Sequence, residues 1–283
     1  MNENSPSLTV KEWLRRATRL LKDAGIPSAT LDAELLLSHT LREPRIWLHA
    51  HPEAELDIRT QEIAQARLDL RLDRVPVAYI IGHKDFYGHA FRVTTATLIP
   101  RPESESVIEL LKKTFSAYKN RTNETPLRLV DVGTGSGNLG VTAKLLFPAF
   151  DVTLIDESRY ALAVAEKNAA SLHADVDTLH GNLLDEYPHV ADVIIANLPY
   201  VDPSWERSPE TDHEPAEALF AKDNGLALIK TLIKQTDGKL SKSGYLILEA
   251  DPAQHDEIKK EAGAFGLICA EIDGYALLFE KLR

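Results

Sequence analysis

Beyond residue 127 the chain alternates short apolar runs with amphipathic stretches, and no other feature restricts its fold so tightly. Residues 129–132, 152–155 and 191–196 are apolar enough to be buried on both faces, as central strands of a parallel sheet are. Between them, residues 138–147 and 161–172 repeat apolar positions at helical spacing. The alternation predicts an α/β domain, a mostly parallel sheet with helices on both faces. Residues 244–249 and 276–279 flank one further helix with none after them, so the last strand is expected to enter antiparallel.

The first quarter of the chain has a different period. Val10, Trp13, Leu14, Ala17, Leu20 and Leu21 share one helical face, which Gly25-Ile26-Pro27 ends. Ser28 or Thr30 suits the N-cap of a second helix with Leu31, Leu35, Leu36 and Leu37 as its apolar stripe, Pro44 breaks the chain again, and a third helix is expected over 55–74. Residues 1–75 thus read as a small all-helical domain, equally suited to packing or to docking a substrate. Between Pro76 and Pro100 the period becomes strand-like, in Tyr79-Ile80-Ile81-Gly82, Asp85-Phe86-Tyr87-Gly88 and Phe91-Arg92-Val93-Thr94, with Gly82 and Gly88 at turns. The expected arrangement is a β-hairpin linker over 76–100, then the α/β domain over 101–283. Pro100 and Pro102 hold an extended lead into a helix starting near Ser104.

A length of 283 residues accommodates two domains, and a net charge of −11 argues against a chain built to grip a phosphate backbone, which needs clustered Lys and Arg. No stable nucleic-acid binding is expected. Cys269 is the single cysteine, which excludes a disulfide framework and a soft metal-ligand set; a buried structural thiol and no metal are expected. Met1-Asn2-Glu3-Asn4-Ser5-Pro6 lacks a basic region followed by an apolar one, and no apolar run approaches the roughly 20 residues of a membrane span. A cytoplasmic monomer without membrane attachment is the expectation.

The chemistry-bearing residues fall at strand ends. In an open α/β sheet ligands collect outside the carboxyl ends of the strands. The strand 191–196 runs straight into Asn197-Leu198-Pro199-Tyr200, where an Asn beside a Tyr suits a planar amide or amino group. The strand 128–132 runs through Asp131 into Gly133-Thr134-Gly135-Ser136-Gly137, a loop with free N–H groups for a nucleotide-like ligand. The dinucleotide order G-x-G-x-x-G is not met, because Asn138 stands at its third glycine. Asp131 near the loop repels a pyrophosphate but suits the ammonium of a methionine moiety, so S-adenosylmethionine is the better fit. Asp156 closes the next strand, at about the twenty-residue distance where a carboxylate accepts ribose hydroxyls, although a helix N-cap is its other reading. After the third strand, Gly181-Asn182-Leu183 lies where an adenine would rest. Together the two loops point to methyl transfer onto nitrogen.

At these residues the chain resembles the release-factor glutamine methyltransferases of the HemK or PrmC type. The likeness runs through Leu31-Asp32-Ala33-Glu34-Leu35-Leu36, Pro76-Val77-Ala78-Tyr79-Ile80-Ile81-Gly82, Phe86-Tyr87-Gly88, Leu98-Ile99-Pro100-Arg101-Pro102-Glu103, Asp131-Val132-Gly133-Thr134-Gly135 and Asn197-Leu198-Pro199-Tyr200, and ends near His213-Glu214-Pro215. The resemblance implies a Rossmann-like class I methyltransferase domain with a seven-stranded, mostly parallel sheet. It also implies N5-methylation of the glutamine in the Gly-Gly-Gln motif of peptide-chain release factors, with Phe86, Arg101 and Glu103 closing one side of the S-adenosylmethionine site. Asn197, Leu198, Pro199 and Tyr200 would be catalytic: the Asn197 side-chain oxygen and the Leu198 C=O accept the two amide hydrogens while Tyr200 packs on the amide plane. Three positions depart from the family pattern. Leu198 replaces a proline, Ser104 stands where Thr is common, and Asp273-Gly274-Tyr275-Ala276 lacks an acidic and basic pair. Asn-Leu-Pro-Tyr also occurs in RNA adenine dimethyltransferases, which leaves adenine-N6 methylation of RNA or DNA, and a catalytically silent binding module, as alternatives.

Overall fold

The computed structural model describes residues 8–117 and 126–282 and divides into two units, Met1–Gly82 with Ser208–His213, and His83–Arg207 with Glu214–Arg283. The opening residues read above for a targeting signal lie outside the described part.

In the first unit a short strand β1 (Leu8–Thr9) leads into α1 (Val10–Asp23). Thr9 and Glu12 form a reciprocal capping box there, which satisfies two of the free N–H groups at the helix start. α2 (Ala29–Leu41) and α3 (Arg45–Ala50) follow, then β2 (Glu55–Leu56), which pairs antiparallel with β1. α4 (Ile58–Leu72) begins behind an Asp57 cap, later than the periodicity suggests. The apolar stripe of α2 is also rotated: Leu31 is 43% exposed, while Ala29, Ala33, Leu36 and Leu37 are buried. Asp32 and Glu34 take the remaining inward places because arginines meet them there. Tyr79-Ile80-Ile81-Gly82, expected as strand, instead closes a short helix, α5 (Val77–Ile81), which runs between Pro76 and a left-handed Gly82. Val77, Ile80 and Ile81 pack on the helical core, and that burial overrides the β propensity of the run.

In the second unit β3 (His83–Phe86) and β4 (His89–Arg92) form a hairpin closed by Tyr87 and Gly88, both at positive φ, as a tight two-residue turn requires. A 3₁₀ turn at Pro102–Ser104 opens α6 (Glu105–Thr114). The alternating part then runs β5 (Arg128–Val132), α7 (Asn138–Leu146), β6 (Asp151–Asp156), α8 (Arg159–Ser171), β7 (Asp177–His180), β8 (Ala191–Ala196), α9 (Ala216–Leu219), α10 (Ala227–Lys239), β9 (Leu240–Glu249), α11 (His255–Ala264), β10 (Leu267–Asp273) and β11 (Ala276–Lys281). The seven strands lie in the order β10-β11-β9-β8-β5-β6-β7. β5 to β9 are parallel to their neighbours among themselves, and β11 enters antiparallel between β9 and β10.

Alternate residues of each central strand feed two cores. Leu129, Val193, Ile195 and Ile247 join α6, α7 and α8 on one face, and Val130, Ile194 and Leu246 join α10 and α11 on the other. β10 escapes the sequence pattern because it is an edge strand: Ile268 and Ile272 face outward, and its register slips between Cys269 and Glu271. Cys269 is accordingly half-buried rather than buried. No helix among the described residues is long and apolar enough to cross a membrane, and none of their His, Cys, Asp and Glu side chains cluster as a metal site.

Candidate active site

The strand order reverses at β5, with β6 on one side and β8 on the other, and a crevice opens beyond the carboxyl ends at such a switch point. Here it is a cleft at the ends of β5, β6 and β8. Gly133 and Gly135 form part of its wall, followed around the strand ends by Asp156, Gly181, Asn182, Leu183, Asn197, Leu198 and Pro199, together with Leu98, Pro215 and Ala218.

The glycine loop has its shape because Gly133, Gly135 and Gly137 all sit at positive φ, where a side chain is strained. Gly133 and Thr134 donate their N–H groups to the Ile155 carbonyl, each at 2.9 Å, and Gly135 donates to Asp156 Oδ2 at 2.8 Å. Asp131 lies beneath the loop, 1% exposed, and does not reach the cleft wall. Its Oδ2 accepts from Thr134 Oγ1 at 2.6 Å and from Gly140 N at 2.8 Å, while Oδ1 is buried without a partner. Burial pushes its carboxyl up to about 6 against those two hydrogen bonds.

The structure separates the residues expected around the cofactor into two groups. Gly133, Gly135, Asp156, Asn182 and Leu183 line the cleft. Thr134, Ser136 and Gly137 are buried behind it and hold the loop. A Cβ on Gly137 would stand 3.2 Å from that of Ala165, so glycine there lets α8 approach. Asp156 is not the helix cap, since Ser158 caps α8 through Ala161 N. Each Asp156 oxygen already accepts one backbone N–H, from Gly135 and from Ser158, which leaves a lone pair on each. Phe86, Arg101 and Glu103 are off the cleft wall. Phe86 packs edge-on against Phe91 in the core, Arg101 pairs with the buried Glu214, and Glu103 is exposed. His213 belongs to the helical unit, where its Nε2 lies 3.0 Å from the Asp73 carbonyl.

Comparison with known proteins adds the family. Residues 12–82 match the PrmC N-terminal domain, and residues 110–266 match the methyltransferase small domain. A release factor glutamine methyltransferase of Koribacter versatilis is 36% identical over 255 residues, covering 87% of this chain and 89% of that protein. This chain belongs to the release factor glutamine methyltransferase family. A relative of the same description from Coxiella burnetii is 33% identical over 97% of this chain and 94% of its own. Among solved structures, a methyltransferase from Pyrococcus furiosus superposes with a TM-score of 0.51 at 17% identity, over 77% of this chain and 98% of that one, a likeness of fold.

In this methyltransferase the donor group fits the wall that faces it. The free lone pairs of Asp156 suit ribose hydroxyls, Gly133 and Gly135 leave the backbone bare, and Leu183 offers an apolar surface beside the Asn182 amide. Beside the Gly133 loop, at the end of the neighbouring strand β8, the Asn197 turn lines the cleft with Asn197, Leu198 and Pro199. Asn197 Nδ2 donates to Ser104 Oγ at 3.0 Å, and the Tyr200 hydroxyl donates to Glu249 Oε1 at 3.0 Å. Desolvation pushes the Tyr200 hydroxyl far above its ordinary range and raises the Glu249 carboxyl as well. Leu198 is buried, so a residue expected to loosen the turn is anchored by packing instead. Sequence reasoning missed Glu249, although it closes an apolar strand as Asp156 does, and met Ser104 only as a departure from the family.

Proposed function

We propose that this protein transfers the methyl group of S-adenosylmethionine to the side-chain nitrogen of the glutamine in the Gly-Gly-Gln motif of peptide-chain release factors. The observation that carries this reading is membership of the family over 87% of the chain joined to Asn197 on the cleft wall. When bound, S-adenosylmethionine supplies an electrophilic methyl group; Gly133, Gly135, Asp156, Asn182 and Leu183 are the residues to hold it.

A glutamine nitrogen is a poor nucleophile because its lone pair is delocalised into the carbonyl, so the main task of the chain is orientation. The Asn197 side-chain oxygen and the Leu198 carbonyl accept the two amide hydrogens, and Tyr200 packs against the amide plane. These acceptors bind the nitrogen more tightly as it becomes positive than they bind the neutral amide, and rate is gained from that difference. No general base is needed before transfer, because the proton leaves from an already acidic methylated amide. His180 and His189 take no part; one ring contacts the Glu157 carbonyl and the other the Tyr187 ring. The release factor is the partner, and a cytoplasmic monomer acting without nucleic acid is the form proposed.

The test mixes the protein with methyl-labelled S-adenosylmethionine and a purified release factor, alongside its Gly-Gly-Ala variant, and locates label by peptide mass spectrometry. Label on the motif glutamine alone is expected. Label on ribosomal RNA, or none with donor binding measured, overturns the reading.

A further inference from the structure

Asn197 can present either end of its carboxamide to a substrate, because its oxygen and nitrogen occupy nearly the same space. Only the oxygen accepts hydrogen bonds from a glutamine amide. The shape of the turn does not choose between the two, so a neighbour must.

We propose that Glu249 and Ser104 are positioning residues: the Glu249 carboxylate takes the Ser104 hydroxyl proton as a hydrogen bond, which obliges Ser104 Oγ to accept from Asn197 Nδ2 and turns Asn197 Oδ1 towards the substrate. This assignment rests on glutamine methylation as the reaction.

The sheet brings the two residues together. Ala196 of β8 pairs with Leu248 of β9 in parallel register, so Asn197 and Glu249 emerge side by side at adjacent strand ends. Asn197 Nδ2 lies 3.0 Å from Ser104 Oγ, and Ser104 is itself buried. A serine hydroxyl has one proton and two lone pairs, and it would as readily donate to an amide oxygen as accept from an amide nitrogen. The destination of its proton therefore decides which end of Asn197 it holds. Glu249 is 1% exposed; Oε1 accepts from the Tyr200 hydroxyl, and Oε2 makes no hydrogen bond in this arrangement. Ser104 and Asn197 nonetheless lie close enough to favour its charged form against burial. That proximity lets a small shift of the Ser104 side chain bring its hydroxyl onto Oε2, which satisfies the orphaned oxygen and leaves Oγ a pure acceptor. An ionised carboxylate only accepts, so the sense of the chain runs one way, from Asn197 through Ser104 to Glu249. The same carboxylate holds Tyr200, and one buried acid thus sets both polar side chains of the turn. A glutamine at 249 breaks this directionality, because its NH₂ can donate to Ser104 and free the serine proton to capture Asn197 Oδ1.

The test compares Glu249→Gln, Ser104→Ala and Ser104→Thr with the wild type, measuring kcat and KM for the release factor, donor binding, and the Asn197 side-chain amide by ¹⁵N–¹H correlation. For Glu249→Gln and Ser104→Ala, kcat is expected to fall by about 10- to 100-fold, at or below the effect of losing one oriented dipole outright. KM and donor binding should stay within about threefold, and Ser104→Thr, which keeps the hydroxyl, should recover kcat. The Asn197 amide signals should shift and exchange faster in Glu249→Gln but not in Ser104→Thr. A Glu249→Gln enzyme with wild-type kcat, or with its loss wholly in KM, overturns the proposal. So does an Asn197 amide unmoved by Glu249→Gln, and that readout needs no substrate. A wild type that labels no glutamine would sink the proposed reaction while the amide signals still decide the orientation.

Discussion

The helical unit and the strand ends beneath the cleft bury carboxylates in opposite ways. In the helical unit Asp32 is met by Arg71 Nε at 2.7 Å, and Arg71 Nη2 also holds Glu210 at 2.9 Å, with Arg74 3.2 Å from the same oxygen. Beneath the cleft, Asp131 and Glu249 have no cation among the described residues, and each keeps one buried oxygen without a partner. The first arrangement neutralises charge by charge and holds a helical scaffold together. The second leaves charge to be met by neutral donors alone, and burial raises the pKa of both acids against them. A buried group left in that state destabilises the fold, so its presence at a strand end marks a place where polarity serves the cleft.

The comparison breaks most sharply at Arg71. Arg71→Met strands the buried Asp32 and should cost about 3–5 kcal/mol in chemical denaturation, as removal of one partner of a buried pair does. A loss below about 1 kcal/mol would mean that the pair holds nothing together.

Asp131 should behave in the opposite sense. Its folded pKa lies above the unfolded value, so the stability it contributes is whole below about pH 4 and is lost as pH rises through about 6. Asp131→Asn should therefore stabilise the donor-free protein at pH 7, by up to the order of 3 kcal/mol, and the gain should vanish near pH 4. Glu210 runs the other way. Burial raises its pKa, but hydrogen bonds from the Ser208 hydroxyl, its own backbone, Arg71 and Arg74 outweigh burial and bring it to about 2. Its contribution is present above its ordinary value of 4.5 and fades as pH falls towards 2. Urea titrations across pH 2 to 7 separate the two, and a variant at Asp131 with an unchanged pH slope would refute the assignment of that slope to the cleft.

Asn197→Ala reads the cleft chemically. It should lower kcat by on the order of 10²-fold while donor binding stays within about threefold, since one oriented acceptor is lost at the transition state. Single-turnover methylation and equilibrium donor binding measure both. An active alanine enzyme would remove Asn197 from the reaction.

How far the sequence discloses these regions depends on what kind of burial each residue has. β5, β6 and β8 are legible because both faces are covered and most of their residues are apolar. β10 is not, since an edge strand keeps polar and exposed positions, and α5 is misread because a β-branched run can be helical when a neighbouring core claims it. The strand-end rule locates Gly133, Gly135, Asp156 and Asn197 on the cleft. It says nothing of depth, so Asp131, Thr134 and Ser136 cannot be told from their exposed neighbours until the loop is folded over them. Arg101 and Phe86 came by resemblance alone, and their places, on Glu214 and in the core, depend on contacts far along the chain.

The smallest expected effect belongs to Leu198, where packing and backbone stiffness make different predictions. A Cβ added to Gly133 would stand 2.8 Å from Leu198 Cδ2, so the leucine fills the space that glycine leaves free. Leu198→Pro keeps the carbonyl that accepts from the substrate and fixes φ, but it withdraws apolar atoms from that contact. The variant should lose about 1–2 kcal/mol of stability through the void, with kcat reduced less than tenfold, well short of Asn197→Ala. If stiffness of the turn mattered more than its packing, the same substitution would stabilise the protein by about 0.4–1 kcal/mol. Gly133→Ala distinguishes the two causes again. Its strain at positive φ remains in either background, whereas its clash with Leu198 should be relieved only in the proline variant, so the double substitution should cost less than the sum of the two. Strict additivity would show that Leu198 does not press on the glycine loop, and the rigidity of the turn would then have to come from its own backbone.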